Sequence, residues 1–257
     1  MKPTVELVLH SRKVVLKLVA AVAVLVALHL VVMVAKFGFG HDHLMGMARV
    51  FDLNEESNVP TWYSGVALLL CSASLALVAA VKRRTHDRFL AHWGVLALIF
   101  AYMSLDEVSR FHEHWGAFLE VPFAWARRVE VAGGIFRNLW VVPAAIVVAI
   151  IGLAYLRFLW SLPVRTRVQF ILAGVLFVWA SVGMEMVGAH YTSIGGRQLV
   201  GFAVLVTIEE VLEMGSIVFF LHAVLEYIAQ SLGSIRLLVG APDRSWEDRL
   251  GSDGADR

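Results

Sequence analysis

Only one cysteine, Cys71, and six prolines occur in the 257 residues. A single thiol excludes an intrachain disulfide framework, and the apolar run around Cys71 makes it a buried small hydrophobe. Charge is scarce as well: Asp, Glu, Lys and Arg make up 17% of the chain, against about a quarter in an ordinary soluble domain. The formal net charge of +1 supplies no basic field to gather nucleic acid. Motifs for nucleotide phosphates or a serine nucleophile elbow are missing too, so function must come from elsewhere.

Hydrocarbon fills the space that charge leaves. Hydrophobic residues make up 59% of the chain, and the mean hydropathy is +0.72. One water-soluble core cannot hide that excess, so lipid must solvate much of the chain. Apolar stretches at about 14–36, 61–81, 89–106, 138–160, 168–190 and 200–228 each reach or approach the ~20 residues that span a bilayer. They are continuous rather than alternating, which selects helices over barrel strands. The sequence therefore predicts an all-α polytopic membrane protein with six transmembrane helices over residues 1–228. A polar, poorly ordered tail is expected over 229–257. The first stretch is too long for a cleaved leader and reads as a retained anchor.

Basic residues in the short connections set the expected orientation. Lys2, Arg12, Lys13 and Lys17, then KRRTHDR at 82–88, then Arg165 and Arg167 all fall on one side, the cytoplasmic one. Both termini are then cytoplasmic and the protein belongs in the cell's inner (plasma) membrane. Arg127, Arg128 and Arg137 oppose this pattern, but aromatic residues between 115 and 137 suit a segment lying along the interface.

The groups that break the apolar pattern carry the functional expectation. SLDEVSRFHEHWG contains Asp106, Glu107, Arg110, His112, Glu113 and His114; GMEMVGAHY contains Glu185 and His190; TIEEVLEMG contains Glu209, Glu210 and Glu213. In the six-span topology all three segments fall in the outer half of the membrane. At ~100° per residue, Glu209, Glu213 and Glu210 share one helix face, at about 0°, 40° and 100°. Asp106, Arg110 and Glu113 form one stripe if their helix continues past the surface. Glu185 and His190 lie ~140° apart and meet one ligand only if the helix ends between them.

An ionised acid at mid-membrane costs roughly +2.5 to +3.5 kcal/mol. Clustered acids therefore need a bound cation, shared protons or basic partners. The bland alternative is polar contact between helices, through Arg110 and hydroxyls. His29, alone in its span, and His222 with Glu226 read as structural; His41 and His43 read as a solvated loop. Asp52, Asn54 and Glu56 imitate the start of a calcium loop, but Ser57 and Tyr63 stand where its glycine and glutamate belong. A helix start fits better, with Asn58 as cap, Pro60 in the first turn, and Trp62 and Tyr63 at the interface.

FDLNEESNVPTWYS, SLDEVSRFHE and TIEEVLEMG together resemble a group of uncharacterised bacterial polytopic membrane proteins, over most of residues 40–228. That resemblance implies a shared topology and site, with no activity attached. Ser104, Asp106 and His112 more loosely resemble the zinc-dependent ceramidase and progestin-receptor-like hydrolases, although the last helix here carries EExxE in place of HxxxH.

The leading expectation is a metal-dependent membrane enzyme, a hydrolase or oxidoreductase acting on a lipid or lipophilic substrate. Glu185, His190, Glu209, Glu210 and Glu213 would hold a divalent metal, iron or manganese before zinc, and Asp106, Glu107 and His112 would serve catalysis. The di-iron signature Glu–x–x–His is missing. The competing expectations are a proton- or divalent-cation-coupled transporter and a structural subunit of a membrane complex.

Overall fold

A computed structural model describes residues 11–40, 48–111, 141–193 and 200–232. His41, His43, His112, Glu113, His114, the 115–137 segment and the tail beyond 232 lie outside the described residues. Regular structure in the described residues is entirely helical. The helices are α1 (Ser11–Met33), α2 (Ala48–Phe51), α3 (Val59–Arg84), α4 (Leu90–Ser109), α5 (Val141–Ser161), α6 (Val164–Val178), α7 (Glu185–Ser193) and α8 (Val200–Tyr227). π-helical turns extend α1 over Val34–Gly38 and α8 over Ile228–Leu232, and another, Trp179–Met184, joins α6 to α7.

Among the described residues, four stretches are long and apolar enough to cross a membrane: Ser11–Gly38, Val59–Arg84, Val141–Ser161 and Val164–Ser193. Helices α4 and α8 have comparable length, 20 and 28 residues, but carry the acids that lower their apolar character. The faces of α1, α5 and α6 turned from the bundle are lined with exposed Leu, Val and Ile, as lipid-facing helices require.

Local chemistry explains where α3 begins and ends. Asn58 is its cap: Oδ1 accepts from the Thr61 amide at 3.1 Å, and Pro60 occupies the first turn. Asn58 Nδ2 also donates to the carbonyls of Asp52 and Glu55, both at 2.7 Å, so one side chain fixes both helix and preceding turn. Lys82, Arg83 and Arg84 close the helix, where cations oppose the negative end of its dipole. Trp62 is exposed as expected, but Tyr63 is not at an interface: it is buried, and its hydroxyl donates to the Leu18 carbonyl at 2.9 Å.

Helices α3 and α4 pack antiparallel in close register. Ser72 Oγ donates to the Ala97 carbonyl at 2.8 Å, and Ser104 Oγ donates to the Gly65 carbonyl at 2.7 Å. Gly65 permits this approach, because a Cβ there would lie 3.0 Å from Val108 Cγ2. Two sets of buried residues sit along the bundle. At the end bearing the basic connections, Trp93 stacks on Tyr227 and meets Phe158 edge-on, each at 4.9 Å. Nearer the opposite end, Leu25, Leu53, Tyr63, Met214 and Val218 pack together. Cys71 is fully buried in the same cluster as Trp93 and Phe158, as its apolar run implied.

Candidate functional site

Two independent registers bring the acids to one level. Phe100 of α4 stacks on Phe220 of α8 at 4.5 Å. Seven residues on along α4 and seven back along α8, about 10 Å on each helix, stand Glu107 and Glu213. Separately, Gln169 of α6 donates to Glu226 of α8 at 2.9 Å. Sixteen residues from that contact, about 24 Å along each antiparallel helix, stand Glu185 and Glu210. Glu107 and Glu185 act electrostatically on both Glu210 and Glu213, and Glu185 also acts on Glu209. Three helix segments thus deliver Glu107, Glu185, Glu209, Glu210 and Glu213 to a shared zone.

These carboxylates are half-buried, and no basic side chain among the described residues lies within ion-pair distance of Glu209, Glu210 or Glu213. No three His, Cys, Asp or Glu among the described residues converge as a ready chelate. The arrangement is therefore a zone of mutually repelling carboxylates contributed by three helix segments. The π-helical turn at Trp179–Met184 directly precedes Glu185 and rotates its face relative to a regular α-helix. Such insertions are frequent at functional positions.

Several expectations need correction or refinement. Helix α4 stops at Ser109, and Arg110 takes a left-handed backbone (φ 56°), so no Asp106–Arg110–Glu113 stripe runs along one helix. Arg110 instead forms an ion pair with Glu56 from the segment before α3. That segment is thereby fastened beside Glu107. His190 is exposed, and α7 runs unbroken through it from Glu185, so the helix does not end between the pair and the two side chains diverge. Asp106 is half-buried at the end of α4.

A second polar centre emerges where sequence reading saw only a lone histidine. His29 is fully buried; its Nδ1 accepts from the Leu53 amide at 3.0 Å, and its Nε2 lies 2.9 Å from Thr207 Oγ1. Asp52 is buried too, with Oδ1 3.5 Å from His29 Nδ1 and Oδ2 3.8 Å from Lys36. An isolated titratable residue inside an apolar span was the available signal. Nothing local marked its partner Asp52, which looked like a loop acid.

At the opposite end the acids have partners. Glu226 pairs with Arg165 at 2.8 Å, receives Gln169 and Gln230, and lies 3.8 Å from His222. Asp87 pairs with Lys82 at 2.8 Å, and that ammonium holds its carboxyl below the usual carboxylate range.

Fold and site define a class: a protein whose described residues are all helical, with four stretches among them of membrane-crossing length and a carboxylate cluster drawn from three helix segments. More particularly, the chain belongs to the family described as Domain of unknown function (DUF8692), whose model matches residues 17–227. No curated protein and no solved structure matches it.

Proposed function

We propose that this chain is an inner-membrane protein with six spans, α4 and α8 completing the four apolar ones, and that its carboxylate zone binds a cation in the outer half of the membrane. The observation carrying this reading is the gathering of Glu107, Glu185, Glu209, Glu210 and Glu213 with no basic partner for the three α8 glutamates among the described residues. Acids held together in a low-dielectric setting take up positive charge, as protons or as a metal ion.

A divalent cation, iron, manganese or zinc, is the first occupant we propose, since hard carboxylate oxygens suit it. Glu185, Glu209, Glu210 and Glu213 supply the donors after modest side-chain movement, whereas exposed His190 falls outside the set. Asp106 and Glu107 stand at the same end to orient a lipophilic substrate entering from the membrane, with His112 completing that group. The activity is then metal-dependent chemistry on a lipid-like substrate. A second reading, proton-coupled transport, draws on the lack of three converged donors among the described residues, since a proton needs no chelate.

Metal content of the purified protein, measured by mass spectrometry beside a Glu209/Glu210/Glu213→Gln variant, tests both. Near-stoichiometric metal that disappears in the variant supports the first reading. Proton uptake without metal, lost in the variant, supports the second. Neither binding in the wild type sinks the cation-binding proposal.

A further inference from the structure

The basic end of the bundle holds more cations than its acids answer. Asp87 accepts from the Lys82 ammonium and the Phe89 amide, both at 2.8 Å, and Glu226 is engaged by Arg165 and Gln169. Among the described residues, Arg83, Arg84, Arg88 and Arg167 of this end are left without a carboxylate partner.

Arg88 differs from the others in what it lines. A cleft of about 430 Å³ opens between the α3–α4 connection, the end of α5 and the end of α8, and its cations are Lys82 and Arg88. The Arg88 guanidinium lies over the Phe89 ring, 4.7 Å from its centroid. Stacking uses the plane of the guanidinium and keeps its N–H edge for an anion. Asp87 also lines the cleft, but its charge is matched by Lys82, so Arg88 leaves the cleft with one net positive charge. The remaining wall is mostly aromatic and apolar: Phe89, Trp93, Leu162 and Tyr227. These side chains belong to the packed core, so folding alone shapes the wall.

The level of the cleft narrows its ligand. The apolar stretches Val59–Arg84 and Val141–Ser161 both end there. Beside it Trp160 is exposed, and the Arg167 guanidinium stacks 4.3 Å above its ring, an aromatic–basic pairing suited to a membrane–water interface. We infer that this cleft binds the phosphate group of an anionic phospholipid headgroup, with Arg88 answering the phosphate charge and the aromatic wall meeting the glycerol and first acyl carbons. Basic pockets between membrane helices take such headgroups. A free phosphate ion would use the cations and leave the apolar wall unmatched, whereas a lipid uses both. One net positive charge also favours a singly anionic phosphodiester over a zwitterionic lipid, whose own ammonium already balances its phosphate. The site is independent of what the carboxylates at the other end bind.

Native mass spectrometry of the full chain in neutral detergent tests this, because a neutral micelle removes the general attraction of an anionic bilayer for surface cations. Phosphatidylglycerol, phosphatidylcholine and inorganic phosphate are titrated separately, against wild type, Arg88→Gln and Arg84→Gln. Arg84 is exposed at the same end but does not line the cleft, and Arg88 is exposed, so neither change disturbs the core. The expected result is one retained phosphatidylglycerol, with phosphatidylcholine severalfold weaker. Arg88→Gln should weaken phosphatidylglycerol by about fivefold, the usual effect of one basic residue beside anionic lipid, and Arg84→Gln should leave it unchanged. Equal retention of the two lipids, equal loss in the two variants, or inorganic phosphate binding as tightly as the lipid overturns the proposal.

Discussion

At the basic end of the bundle Glu226 sits among Arg165, Gln169, Gln230 and His222, and Asp87 is held by Lys82. At the other end Glu209, Glu210 and Glu213 face further glutamates, and among the described residues no cation pairs with them. The side-chain chemistry is the same in both places. Where each acid has its own donors, its charge is settled within the fold and it ties helices together. Where acids gather with each other, each raises the cost of ionising the next. The aromatic packing follows the same division, because Trp93, Phe158 and Tyr227 are buried against each other at the basic end.

Replacement of Trp93 by alanine should produce the largest effect, a loss of about 3–5 kcal/mol from an emptied aromatic core. Chemical denaturation of the detergent-solubilised protein measures it. A loss below about 1 kcal/mol would show that this aromatic cluster does not hold the basic end together. Next comes Asn58→Ala, which removes the α3 cap and two further bonds to the preceding turn, at a cost of about 1–2 kcal/mol. Amide exchange should then rise over 48–62 and stay unchanged around Trp93.

Paired glutamine substitutions sharpen the contrast directly. Glu226→Gln should lower the unfolding midpoint modestly, by up to about 1 kcal/mol, given that Arg165 is largely exposed. Glu210→Gln should instead raise the midpoint, because it relieves repulsion from Glu107, Glu185 and Glu209. Equal destabilisation by the two changes would erase the distinction between the ends.

Asp87→Asn should have the smallest effect, and its sign with pH is fixed. Lys82 lowers the Asp87 carboxyl below its ordinary value, so the stabilisation is complete above that value, about 4. It is lost as pH falls through the lower folded value. Midpoints measured between neutral and acidic pH should therefore fall less steeply in the variant than in the wild type.

Helix existence was legible because hydrocarbon thickness fixes span length, and the six apolar stretches coincide with α1, α3, α4, α5, the α6–α7 pair and α8. The Asn58 cap was legible because capping is local. Glu107, Glu185 and the α8 acids were legible as outliers in apolar surroundings, but their assembly required the antiparallel registers carried by Phe100–Phe220 and Gln169–Glu226. His190 stands exposed on the unbroken α7, about 140° around the helix from Glu185, as ideal helix spacing implied. Whether α4 continues past Ser109 stayed open in the sequence, because a left-handed arginine at Arg110 has no compositional mark.

By itself, then, the sequence determined what lipid and local hydrogen bonding dictate: helix positions, the α3 start, and which residues are out of place in hydrocarbon. Tertiary structure alone decided which of those residues face each other. It joined Glu56 to Arg110, sank Asp52 and Leu53 against His29, and gave Glu226 its partners while gathering the other glutamates together. Those pairings join residues far apart in the chain, and only packing registers, not local propensity, set the distances between them.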